Sequence, residues 1–290
     1  MMLEDESGRL RIGGTYISTQ NFVTGCVIGA LGSENSDGIF NVIETVCADL
    51  PRQPQRWERD DSEAAVKTSQ VKQKREKAGK LAIVSGLGIT GTTDEDIALD
   101  LLLEYLTGEL GGPAEHTASS AISRLMIAGN SLLNSSPIPS REEFAVRKAA
   151  HKRHYGYDST TYNSDPVERL DQFLADVLPQ LPVTLLPGSS DPASVAIPQQ
   201  PLHPALFPLA RQYANPPIQN SETRLGLDSV TNPWDGDIEG WRVLGTSGQT
   251  VDDLMKYVDN SSTLDVMDMM LRWRCVAPTA PDTLCTYFLL

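Results

Sequence analysis

Three stretches that end apolar runs carry the residue types from which a hydrolytic centre would be built. They read Val84-Ser85-Gly86-Leu87, Ala128-Gly129-Asn130-Ser131 and Pro187-Gly188-Ser189-Ser190-Asp191. Two-metal phosphoester hydrolysis needs carboxylates and imidazoles at successive strand ends, because two cations must be held together to activate water. Here the first stretch offers no ligand, the second a neutral amide, and the third one carboxylate, Asp191. Three weak oxygen donors cannot hold a dinuclear site. Asp191 is expected instead to cap the turn that follows it. The four histidines (His116, His151, His154, His203) and four cysteines (Cys26, Cys47, Cys275, Cys285) are dispersed, with no Cys-x-x-Cys pair. Zinc spacing is absent, disulfides are not expected in a reducing compartment, and the cysteines read as ordinary core or surface thiols.

A second chemistry has to be weighed. Gly86-Leu-Gly-Ile-Thr-Gly91 is a formal Gly-x-Gly-x-x-Gly between an expected strand and an expected helix. Such glycines let a pyrophosphate approach a helix N-terminus, which would make this a dinucleotide site. No acidic residue closes the following strand to hold a ribose, and Asp94-Glu-Asp96 puts carboxylates where phosphate would sit. The dinucleotide reading is therefore weak, and no cofactor is expected.

The elements that must position these loops follow from pattern. Ile12–Ser18, Phe22–Leu31 and Ile39–Val46 are rich in β-branched and aromatic residues, and Asn35-Ser-Asp-Gly38 is a hairpin signal between the last two. Residues 51–80 turn polar and end in Lys72-Gln-Lys-Arg-Glu-Lys-Ala-Gly-Lys80, which reads as a solvated linker or insertion. From residue 81 strands and helices alternate. Strands are expected at Leu81–Ser85, Arg124–Ala128, Pro182–Leu186 and Trp241–Ser247. Helices are expected from Asp94 to Leu106, from Asp165 to Leu178 with Pro166 at the first turn, near Val251–Tyr257 and over Thr263–Arg272. A polar insertion is expected at about residues 137–163. The expected organisation is a partial β-barrel segment over 1–50, a charged linker over 51–80 and a layered α/β domain over 81–290.

Composition limits the partners. The chain has 290 residues and a formal net charge of -14, which repels a phosphate backbone at long range. Nucleic acid, if involved, is expected to be met indirectly or weakly through a partner protein. No apolar run approaches the ~20 residues of a membrane span, and the acidic start Met-Met-Leu-Glu-Asp-Glu lacks the features of a signal peptide.

The same loops carry a resemblance. Pro187-Gly188-x-x-Asp191-Pro192, then Pro198-Gln199-Gln200-Pro201-Leu202-His203-Pro204, then Gly240-Trp-Arg-Val-Leu-Gly-Thr-Ser-Gly-Gln249 and Pro278-Thr-Ala-Pro-Asp-Thr-Leu284, resemble the small (B) subunits of DNA polymerase delta. The likeness runs from about residue 3 to residue 284, and its most specific block is Pro198–Pro204. It implies an α+β fold: an oligonucleotide-binding β-barrel followed by an inactivated calcineurin-like phosphoesterase domain, a β-sandwich core with flanking helices. Ser85, Gly86, Gly129, Asn130, Ser189, Ser190 and Asp191 would then be vestigial metal-site positions. The implied role is a non-catalytic scaffold in DNA replication and repair, in the nucleus. The implied partners are the catalytic subunit, through its cysteine-rich C-terminal module, and a further regulatory subunit, with polymerase zeta as a second complex. The chain starts late relative to the family and leaves its pattern after Leu284, so truncation of the second domain is expected.

Two other functions compete with this reading: an active metal-dependent phosphoesterase with atypical ligands, and dinucleotide binding through Gly86–Gly91. Single residues have plainer roles. His203, between two prolines, is expected to fix a turn, and Trp234 and Trp241 to anchor a core or an interface. Met255, Met267, Met269 and Met270 are expected to fill gaps in helix packing. Ser85 and Ser247 have no base nearby in sequence to make either a nucleophile.

Overall fold

Asn35 organises the best-defined turn in the N-terminal residues. Its Oδ1 accepts from the main-chain N–H groups of Asp37 and Ile39, both at 3.0 Å, and Gly38 takes φ 71°. The flanking segments, β3 (Ile28–Glu34) and β4 (Ile39–Cys47), therefore pair antiparallel, as the hairpin signal predicts. The computed structural model describes residues 1–50, 52, 79–91, 97–133, 164–194, 196–214, 226–238, 241–258, 262–280 and 282–284. These form two compact units, Met1–Val66 with Gly248–Leu290, and Lys67–Ser247. The expected linker at 51–80 and the insertion at 137–163 lie almost wholly outside the described residues.

In the first unit β1 (Met2–Asp5) and β2 (Gly8–Gly13) form a second hairpin, and the sheet order is β1-β2-β4-β3. Ile12, Ile17 and Val42 make its small core, with Leu3, Tyr16 and Phe40 around them. Two expected strands are shorter than their apolar runs. The first stops at Gly13 because Gly14 (φ 116°) turns the chain against the main chain of Val42, and Ile17–Thr19 is a 3-10 turn. The second starts only at Ile28, because Val23–Cys26 closes a turn with the Cys26 N–H on the Val23 carbonyl.

Two described helices also belong to this unit, α4 (Gln249–Leu254) and α5 (Thr263–Trp273), which follow the described helices of the second unit in chain order. Ser262 and Asp265 cap α5 reciprocally, each side chain accepting from the other's N–H. Val251, Leu254, Val266, Met270 and Trp273 bury together with Phe22 and Val23. This packing is why residues Gly248–Leu290 group with the N-terminal sheet, whereas the sequence pattern ran the second domain to residue 290. Met270 fills this core as expected, but Met255 and Met267 are 37% and 46% exposed.

The second unit is layered. Its parallel sheet runs β5 (Lys80–Val84), β6 (Ile122–Ala128), β7 (Val183–Leu186) and β8 (Leu227–Ser229), in that spatial order. Among the described residues its helices are α1 (Ile97–Thr107), α2 (Pro113–Ser119) and α3 (Asp165–Val177). The acidic start expected for α1 at Asp94 lies outside the described residues. Leu125, Ile127, Val183 and Leu185 cluster with Leu170, Phe173, Leu174 and Val177 of α3. Each such fully buried side chain contributes about 1.5–3 kcal/mol of transfer free energy. Against the other sheet face lies the antiparallel pair β9 (Trp234–Ile238) and β10 (Trp241–Gly245). A Cβ on Gly245 would sit 2.6 Å from Met126 Cε and 3.1 Å from Leu186 Cδ2, so the glycine lets the pair pack against these two side-chain ends without displacing them. Trp234 is half-buried beside it, while Trp241 is 67% exposed. Among the described residues no helix is long and apolar enough to cross a membrane.

Candidate functional site

Parallel strands deliver their C-terminal loops to one edge of a sheet, where such folds place their chemistry. The three loops singled out by sequence do meet there. Ser85, directly after β5, donates its hydroxyl to the Ala128 carbonyl at 3.0 Å. The N–H groups of Gly86, Gly88 and Ile89 donate to the carbonyls of Gly129, Asn130 and Ser131. The Gly86–Gly91 stretch thus uses its N–H groups to continue pairing with the second loop. A Cβ on Gly91 would fall 2.6 Å from the main chain at Asp165 and Pro166, so this glycine permits helix packing.

The second loop turns on two left-handed residues, Gly129 (φ 81°) and Asn130 (φ 55°). A Cβ on Gly129 would lie 2.4 Å from Ser247 Cβ and 2.9 Å from Gly188 Cα. Asn130 then bridges to the third loop. Its Oδ1 accepts from the hydroxyl of Ser189 at 3.1 Å and from both the N–H and the hydroxyl of Ser190 at 3.2 Å.

Asp191 is 1% exposed and closes the junction from below. Its Oδ2 accepts from the Gly188 N–H at 2.7 Å and its Oδ1 from the Leu132 N–H at 3.0 Å. Burial pushes its pKa above the ordinary aspartate value, although these N–H groups, with those of Ser131 and Asn130, pull the other way. Both oxygens are therefore already engaged by the protein, and the residue holds two loops together.

The proline-glutamine block packs behind this junction. Gln199, 1% exposed, donates from Nε2 to the carbonyls of Gly188 (3.1 Å) and Ser194 (2.8 Å). Its Oε1 accepts from Asn232 Nδ2 at 2.7 Å, and Asn232 Nδ2 also donates to Ser247 Oγ at 2.6 Å. Pro187 and Leu202 are buried, whereas Pro198, Gln200, Pro201, His203 and Pro204 are exposed and Pro192 is intermediate. His203 Nδ1 accepts from the Ala205 N–H at 3.1 Å, which caps the 3-10 turn Pro204–Leu206.

Three contributors escaped the sequence reading. Asn232 and Ser247 lock the rear of the junction; Asn232 belongs to no pattern that could have revealed it, and Ser247 lies in the Gly240–Gln249 signature block, which gave no sign of this role. Asp171 left a signal: it sits among Val167, Leu170 and Leu174 on the apolar stripe of α3, where a carboxylate must be satisfied. It accepts from the N–H groups of Leu209 (2.9 Å) and Ala210 (2.8 Å), tying the end of the proline-rich segment to the core.

The chemical capacity of this edge is limited by its composition. The loops present hydroxyls and amides that bond to each other and one carboxylate that bonds to main chain. Among the described residues no group of three His, Cys, Asp or Glu side chains is placed to hold a metal ion. The donor set does not fit a two-metal centre, which would need several free anionic or imidazole ligands.

Comparison with known proteins agrees with the signature blocks. Residues 1–45 match the family model described as DNA polymerase delta subunit OB-fold domain. The DNA polymerase delta small subunit of Arabidopsis thaliana is 34% identical over 99% of this chain and 57% of its own length. That of Saccharomyces cerevisiae is 32% identical over 99% of the chain and 56% of its length. DNA polymerase delta subunit 2 of Drosophila melanogaster is 34% identical over 99% and 58% respectively. The chain thus spans somewhat over half the length of these relatives. Residues 81–289 match the family model for the DNA polymerase alpha/epsilon B subunit, and the chain belongs to that family.

Proposed function

We propose that this chain is a non-catalytic scaffold component of a DNA polymerase delta complex, working in DNA replication and repair in the nucleus. The observation that carries the proposal is the bonding of the strand-end loops to one another. Where a calcineurin-like phosphoesterase would project metal ligands, Asn130 accepts from Ser189 and Ser190, and Asp191 accepts main-chain N–H groups. On this reading Ser85, Gly86, Gly129, Asn130, Ser189, Ser190 and Asp191 are vestigial ligand positions in an inactivated phosphoesterase domain beginning near residue 81.

A rigid sheet edge without chemistry of its own suits a surface that other subunits grip. The proposed partners are the catalytic subunit, through its cysteine-rich C-terminal module, and a further regulatory subunit, with polymerase zeta as a second host complex. The net charge of -14 favours meeting DNA through those partners. Metal content and hydrolysis of a chromogenic phosphodiester with added manganese test the non-catalytic part. No tightly held transition metal and no turnover above buffer are expected. A stoichiometric metal pair with turnover would make the chain an active phosphoesterase with atypical ligands.

A further inference from the structure

Three thiols far apart in sequence, Cys26, Cys47 and Cys275, border one apolar cluster of the first unit, each free and partly buried. Main-chain contacts enforce their convergence. Cys47 ends β4 opposite Ile28, two residues after Cys26. The turn carrying Cys26 presses on the segment that follows Cys275, since a Cβ on Gly25 would lie 1.8 Å from the Pro278 carbonyl oxygen. Arg274 donates to the carbonyls of Ala48 (3.0 Å) and Asp49 (2.7 Å), directly after Cys47. We propose that Cys26 and Cys275 form a reversible disulfide when the chain meets a small-molecule disulfide oxidant of the glutathione type. The bond would lock the C-terminal end of α5 to the turn that leads into β3.

The exchange balances in two steps. The Cys275 thiolate attacks one sulfur of oxidised glutathione, forming a mixed disulfide and releasing one glutathione thiolate. Cys26 then attacks the Cys275 sulfur, forming the protein disulfide and releasing the second. Two protein thiols are oxidised, one glutathione disulfide is reduced, and the two thiol protons pass to the released thiolates. Burial pushes the Cys26 thiol up to about 11, with Cys275 and Cys47 nearby adding to the effect. The second step therefore needs a thiolate that is scarce near neutrality, so the cluster closes slowly there and only under sustained oxidation.

The test treats the reduced, folded chain with excess oxidised glutathione and maps its peptides. A Cys26–Cys275 cross-link is expected, with loss of two titratable thiols and full reversal by dithiothreitol. Closure from the mixed disulfide should speed up about tenfold per pH unit between roughly pH 7 and pH 9. The oxidised chain should melt at a higher temperature than the reduced one, and Cys26→Ser should remove that difference. A Cys26–Cys47 cross-link, glutathione adducts without closure, or a cross-link that forms only in urea would overturn the proposal. The wild-type peptide map decides the question even if the variant does not fold.

Discussion

Gln199 and Asn232 are joined by three hydrogen bonds although 33 residues separate them. Their main chains exchange N–H to carbonyl bonds in both directions, and Asn232 Nδ2 donates to Gln199 Oε1. Both are 1% exposed, so neither can recover a lost partner from water. Gln199→Ala should cost about 2–3 kcal/mol, chiefly by removing the donor to the buried Gly188 carbonyl and the part-buried Ser194 carbonyl, and one acceptor of the Asn232 amide. A double-mutant cycle with Asn232→Ala, followed by urea unfolding, should give a coupling of about 1–2 kcal/mol. Simple additivity would mean that the two side chains act independently.

The glycines of the first two loops predict opposite sensitivities. Gly86 (φ 70°) has nothing within 4 Å of a built Cβ, whereas Gly129 (φ 81°) faces Ser247 and the main chain of Gly188. Gly86→Ala should lose only the left-handed penalty, about 1–2 kcal/mol. Gly129→Ala adds overlap with packed neighbours, for a total of about 4 kcal/mol. Equal losses in chemical denaturation would mean that the loops are not in close contact.

Asp171 gives a third test. Asp171→Ala strands the buried N–H of Ala210 and removes the acceptor of the part-buried Leu209 N–H, and should cost about 1–3 kcal/mol. Hydrogen exchange at these two amides should accelerate well beyond that of the β6 and β7 amides, which are held by the sheet. Unchanged exchange at Leu209 and Ala210 would remove Asp171 as the anchor of this segment.

Asp191 makes a prediction in pH. Its folded pKa is raised by burial, despite the opposing N–H bonds. The sign follows from linkage: a raised folded value gives a contribution that is whole below the unfolded value near 3.9 and is lost as pH rises through the folded value. Relative to Asp191→Asn, the wild type should therefore lose stability as pH rises above about 4. A wild type that gains on the variant over this range would show that the N–H bonds outweigh burial.

The parts of the fold legible beforehand were those whose local chemistry and tertiary role agree. Asn35–Gly38 fixes its hairpin through its own side chain, and Asp165-Pro166 opens α3 at the position where proline fits. The apolar runs of β5, β6 and β7 announced strands, and hence the three loops at the sheet's edge, although Leu81 and Ile83 of β5 are exposed. Other elements depend on distant partners. β8 is Leu-Asp-Ser, and its Asp228 is partnered by Arg124 from β6 at 2.7 Å. β9 reads Trp-Asp-Gly-Asp-Ile, a turn by composition, and is a strand because β10 pairs with it. The loops themselves were legible as residues that lack metal ligands. How they hold each other was not, because Asn232, Ser247 and Leu132 reach the junction only through the tertiary fold.

The most direct measurement is co-expression of this chain with the DNA polymerase delta catalytic subunit, followed by size-exclusion chromatography at physiological salt. The proposed scaffold role predicts a stoichiometric complex that requires the cysteine-rich C-terminal module of the catalytic subunit. A folded chain that elutes alone while the catalytic subunit is intact would contradict it.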